Sequence, residues 1–124
     1  MRNGRLNKLL FLAKKDKEII AVLLFGSHAR GHARPTSDID LCLILRHEKN
    51  SFKKRLEYSS LGDNIDVHAF QALPLYIKIR VLREGEILLC KDEDFLYETA
   101  IKTIKDFERY KKVFSIYLDK VVHG

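Results

Sequence analysis

Two apolar runs dominate the pattern of the chain: Ile19–Phe25 is unbroken, and Ile39–Leu45 is interrupted by Asp40 alone. Runs this short and this continuous read as strands buried on both faces. Before them, Leu6, Leu9, Leu10 and Ala13 recur at helical spacing, which predicts a first helix over residues 5–15 with those four as its buried stripe. After them, Ser51 is placed to cap a helix carrying Phe52, Leu56 and Leu61, and Gly62-Asp63-Asn64 has turn composition. Residues 65–70 alternate, with Ile65, Val67 and Ala69 on one face and Asp66, His68 and Phe70 on the other. Pro74 opens a helix over 75–82, Gly85 interrupts it, and residues 86–90 form a short strand. Asp92 or Asp94 then caps a long last helix, in which Leu96, Ala100, Ile104, Phe107, Phe114, Tyr117 and Val121 recur. There is no repeat, linker or low-complexity tract. The expected class is α/β (α+β): a mixed β-sheet flanked by helices, with a long C-terminal helix, in one domain spanning residues 1–124.

The polar residues between the two apolar runs carry chemistry. Gly26-Ser27 closes the first run, and His28-Ala29-Arg30-Gly31 can open a helical turn behind it. Glycine lets the backbone approach an anion closely, serine adds a hydroxyl donor, and amides at a helix start present partial positive charge. Asp38 and Asp40 begin the second run two residues apart, so a strand puts both carboxylates on one face, where they can hold magnesium. Alone, an Asp-x-Asp reads as a solvated strand end and a Gly-Ser as a turn. The joint pattern, with ten residues between its halves, arises by chance about once in several hundred such chains. Its placement between strands points to metal-dependent phosphoryl or nucleotidyl transfer. Arg30 either grips phosphate through its fork or braces the turn against a carboxylate. Ser37 orients the Asp38 loop, and Arg34 is solvated. His28 and His32 have the four-residue spacing of a zinc pair, but without a nearby third ligand they read as a solvated pair beside the nucleotide pocket.

Leu24-Phe25-Gly26-Ser27-His28-Ala29-Arg30-Gly31, followed by Ser37-Asp38-Ile39-Asp40-Leu41, resembles the signature of the DNA polymerase beta-like nucleotidyltransferase superfamily, in its minimal nucleotidyltransferase (MNT) branch. The resemblance covers most of the chain. Ile65-Asp66-Val67 is similar to the strand bearing that family's third carboxylate, and the length matches a catalytic domain without accessory modules. It implies Mg2+ held by Asp38, Asp40 and Asp66, ATP bound at Gly26, Ser27 and Arg30, and Asp66 accepting the proton of the incoming hydroxyl. Members of this branch are commonly encoded with a helical HEPN partner. The resemblance thus implies an antitoxin that transfers AMP from ATP to a tyrosine hydroxyl of a HEPN ribonuclease toxin. Taken on its residues alone, Asp66 also fits an ordinary half-exposed strand.

Composition narrows the alternatives. At 124 residues and 46% hydrophobic, the chain can build one core and is short for two domains. Cys42 and Cys90 both sit in apolar runs, and no signal peptide or bilayer-length stretch is present, so they are expected as buried thiols in a reducing cytoplasm. A net charge of +6 and a pI near 9.4 favour anionic ligands without choosing among ATP, an acidic protein and RNA. Lys53-Lys54-Arg55 lacks interleaved aromatic residues and reads as a solvated helix face, so direct nucleic-acid binding is not expected. Abundant Lys, Arg and Glu with a single glutamine, Gln71, hint at a thermophilic source. A chain this small has little surface to enclose a substrate, which favours a protein acceptor over a small molecule such as an aminoglycoside. A binding-only antitoxin and an RNA- or DNA-binding module stay open; magnesium-dependent pyrophosphate release and steep salt dependence would separate them. Tyr97, Ile101, Ile104, Phe114 and Tyr117 supply more apolar side chains than one-sided packing needs, predicting a docking face on the last helix.

Overall fold

The structure is a computed structural model and describes residues 4–26, 31 and 38–124. Helix α1 (Gly4–Lys15) leads into β1 (Ile19–Phe25), and β2 (Ile39–Leu45), α2 (Ser51–Ser59), β3 (Ile65–Ala69), α3 (Leu75–Glu84), β4 (Glu86–Cys90) and α4 (Glu93–His123) follow. The strands form one mixed sheet in the order β3-β2-β1-β4. Strand β1 runs antiparallel to both β2 and β4, whereas β2 and β3 are parallel, a pairing that needs a crossover and finds it in α2.

Burial on both faces explains the uninterrupted apolar runs. On one face, Leu6, Leu9 and Ala13 of α1 and Tyr58 of α2 pack with Val22, Leu41, Leu43 and Val67. On the other, Val81 of α3, with Ile77, Phe95 and Leu96 beside it, packs with Ile20, Leu23, Cys42 and Ile44. Each fully buried Leu or Ile contributes about 1.5–3 kcal/mol relative to an exposed one. Asp40 shares the alternation of Cys42 and Ile44, but it lies at the start of β2, where it is half-buried rather than enclosed.

Polar seams hold the layers in place. The Lys91 ammonium donates to the carbonyls of Ala13 at 2.8 Å, Lys14 at 3.4 Å and Asp16 at 2.6 Å, satisfying acceptors left at the end of α1. Burial pushes its pKa down. Asp16 accepts from the Lys54 ammonium at 2.7 Å and from the Tyr58 hydroxyl at 2.9 Å, tying the α1–β1 connection to α2. Beyond the end of β3, the Gln71 amide donates to the Leu45 carbonyl at 2.7 Å and its oxygen accepts from the Leu45 N–H at 3.3 Å, so β2 stays paired past its neighbour.

These seams correct several expectations. Helix α2 is anchored by Tyr58 and its bonds to Asp16, so Phe52 is 71% exposed and the helix ends before Leu61. Ser51 is the first residue of that helix, not its cap, and its hydroxyl donates to the Glu48 carbonyl at 2.6 Å. Lys54 is mostly buried and ion-paired, not solvated like its neighbours Lys53 and Arg55. Phe70 leaves β3 in a single 3-10 turn and is buried in the α3/α4-side core. Of the two candidate caps for α4, Asp92 does the work: its carboxylate accepts from the Phe95 N–H at 3.0 Å. Cys42 and Cys90 are both free thiols; Cys42 is buried, as expected, and Cys90 only partly so. Among the described residues, no helix is long and apolar enough to cross a membrane.

Candidate active site

Asp40 and Asp66 are register partners in the parallel β2/β3 pair, which sends both carboxylates out of the same face of adjacent strands. Their neighbours complete the arrangement. His68, two residues beyond Asp66, places Nε2 3.0 Å from the Asp66 carboxylate. Donor atoms of Asp40, Asp66 and His68 all lie within 4.8 Å of one another. On the other flank of Asp40 its register partner is Phe25, whose ring meets the His68 imidazole edge-on, with centroids 5.6 Å apart and planes at 67°. Two carboxylates and an imidazole converging over that span suit a divalent cation.

Gly26 follows β1 directly and has φ 75°, in the left-handed region. Space as well as backbone demands glycine here. A Cβ at this position would overlap the Asp40 carboxylate, with Asp40 Cγ at 3.1 Å. Beside Gly26, a cleft of about 170 Å³ is lined by Phe25 and by Ile77, Arg80 and Glu84 of α3. Volume alone does not locate the chemistry. A larger hollow of about 460 Å³, between β4, α3 and α4, is lined mainly by apolar side chains such as Leu23, Ile87 and Leu96 and holds none of the three converging residues.

Asp38 is exposed immediately before β2, on the same alternation as Asp40, and is not one of the three that converge. Ser27 and Arg30 lie outside the described residues, as do His28, His32, Arg34 and Ser37. Two contributors escaped the sequence reading. His68 carried a signal, since it shares Asp66's face two residues on, but no motif marks a histidine there. Arg80 carried none, because only the packing of α3 brings it beside Gly26.

Residues 7–94 match the family described as Polymerase beta, Nucleotidyltransferase. The chain belongs to this family. It is a nucleotidyltransferase. A protein of Methanocaldococcus jannaschii named as a protein adenylyltransferase is 32% identical over 97 residues, 78% of this chain and 70% of that protein. In fold, the nucleotidyltransferase resembles a chain of a toxin-antitoxin crystal structure with AMP-PNP, at TM-score 0.71 and 20% identity, over 98% of this chain and 99% of that one. It also resembles a chain of the structure of a tri-AMPylated Shewanella oneidensis HEPN toxin in complex with MNT antitoxin, at TM-score 0.64 and 19% identity, over 95% and 96% of the two chains. These likenesses establish the four-stranded mixed sheet with its long last helix as a nucleotidyltransferase fold.

Proposed function

We propose that this nucleotidyltransferase moves AMP from ATP to a tyrosine hydroxyl of a HEPN-type toxin, acting in the cytoplasm as its antitoxin. The observation that carries the proposal is the register pairing of Asp40 with Asp66 beside a glycine that leaves no room for a side chain. Asp38, Asp40 and Asp66 hold Mg2+, and Gly26, Ser27 and Arg30 bind the triphosphate. When bound, the metal supplies positive charge against the α-phosphate and the leaving pyrophosphate. Gly26 brings backbone amides close to the phosphates, and the Ser27 hydroxyl donates to them. Asp66 stands on the edge strand β3 and its side chain is 51% exposed, so a hydroxyl presented by another molecule can reach it. Its carboxylate takes the hydroxyl proton as the oxygen bonds to the α-phosphorus, and the bond from that phosphorus to pyrophosphate breaks. Alignment and charge supply the acceleration, with no covalent enzyme intermediate.

Three facts support a protein acceptor. The Methanocaldococcus relative is named for adenylyl transfer to protein. The Shewanella structure joins an AMPylated HEPN toxin to an MNT antitoxin. In this chain every residue of α4 from Glu108 onward is exposed, including Phe114, Tyr117 and Val121, a surplus of apolar surface suited to a helical partner. The test is peptide mass mapping of the HEPN partner after incubation with this chain, ATP and Mg2+. AMP on a tyrosine together with loss of ribonuclease activity is the expected result. A tightly bound partner that gains no mass, while the isolated chain nucleotidylates an aminoglycoside or similar small molecule, would overturn the proposal.

A further inference from the structure

We infer that His68 is itself a ligand of the metal centre, so that an imidazole beside the carboxylates biases the site toward a first-row transition ion such as Mn2+ over Mg2+. This rests on the metal-binding role proposed above for Asp40 and Asp66, and adds a nitrogen donor and a class of ion. His68 Nε2 lies 3.0 Å from Asp66 Oδ2, and the donor atoms of all three residues fall within 4.8 Å of one another. Around an ion with ligands at about 2.1 Å, adjacent octahedral donors stand about 3.0 Å apart and opposite ones about 4.2 Å. The His68–Asp66 separation matches an adjacent pair, and the 4.8 Å span of the cluster is close to that scale. The imidazole is also held in place: its ring packs edge-on against Phe25, and its side chain is only 25% exposed. Cys42, the register partner of His68, is fully buried among apolar side chains and offers no competing donor.

The choice of ion follows from the donor set. Mg2+ prefers oxygen ligands and parts reluctantly with its water, so an imidazole does little for it. A transition ion gains more from the same nitrogen. The experiment is pulsed electron paramagnetic resonance on the whole chain loaded with Mn2+. Nitrogen coupling of an imidazole is expected in the wild-type chain, lost in His68→Gln and kept in His28→Asn/His32→Asn. In titrations, His68→Gln should weaken Mn2+ binding about tenfold and leave Mg2+ binding within about twofold. Mn2+ that binds in an Asp40-dependent way without nitrogen coupling, or coupling that survives His68→Gln, would overturn the role of His68 and leave the carboxylate centre standing. Mn2+ binding that is absent, or indifferent to Asp40→Asn, would overturn the centre and the inference together.

Discussion

Gly26 has little freedom to change. Its backbone is left-handed and the space where a side chain would go is taken by Asp40. Gly26→Ala should therefore cost about 1–2 kcal/mol in a denaturant titration from backbone strain, and should lower nucleotidyl transfer further by displacing the carboxylate. Unchanged transfer kinetics would show that Asp40 is not held against this turn. At Asp66, Asn keeps the shape but removes the carboxylate proposed as base and metal ligand. Transfer should fall about a hundredfold or more, with the circular dichroism spectrum intact; near-wild-type labelling would return Asp66 to an ordinary strand residue. Asp16 tests stability. Burial alone would raise its pKa, but the Lys54 ammonium, the Glu18 N–H and the Tyr58 hydroxyl outweigh it and hold the carboxyl below its ordinary 3.8. A depressed carboxyl stabilises the fold fully above that value and loses the contribution as pH falls through the lower folded-state pKa. Asp16→Asn should cost about 2 kcal/mol at neutral pH, with the gap to wild type closing as thermal melts are taken below pH 3.8. A constant gap across that range would contradict the ion-paired role. At this scale the left-handed turn at Gly26 and the strand position of Asp40 were legible, because turn and two-residue strand spacing are local rules, whereas Asp38 lies just before β2 and outside the converging group. The pairing of Asp40 with Asp66 depends on a parallel register across α2 that no local pattern encodes, and His68 joins the cluster only through it.

Among the elements, β1 and β2 were legible because two-sided burial leaves a continuous apolar run. Helix α2 was foreseen, but its cap, its end and its anchor were not: its position is set by Tyr58 and Lys54 reaching Asp16, a tertiary contact between polar groups that hydrophobic periodicity does not report. The length of α4 and its surplus of apolar side chains followed from its periodicity, whereas which part of it stays exposed, from Glu108 onward, is visible only once the sheet and α3 are in place. That half should matter to a partner and little to folding. Phe114→Ser/Tyr117→Ser should leave stability within about 0.5 kcal/mol, as exposed substitutions do. By titration calorimetry, affinity for the HEPN partner should fall about tenfold or more, since buried aromatic anchors dominate interfaces. Unaltered affinity would move the docking face elsewhere. Leu9→Ala, beneath the opposite face of the sheet, should do the reverse, costing about 2–5 kcal/mol of stability without altering the interface.

Taken whole, the chain sets a doubly packed sheet behind two carboxylates on the neighbouring strands β2 and β3, with a long helix projecting apolar side chains into solvent. Its net charge of +6 favours anionic ligands in general, ATP among them, while placement of the carboxylates decides what is done with one. The measurement that bears most directly on this is the intact mass of a HEPN partner after incubation with ATP and a divalent cation, in the presence of wild-type chain or of Asp40→Asn/Asp66→Asn. With wild type, the partner should gain one or more AMP units; with the double variant, still folded and still bound to the partner, it should gain none. Equal mass gain from both proteins would contradict the assignment of nucleotidyl transfer to the Asp40/Asp66 pair.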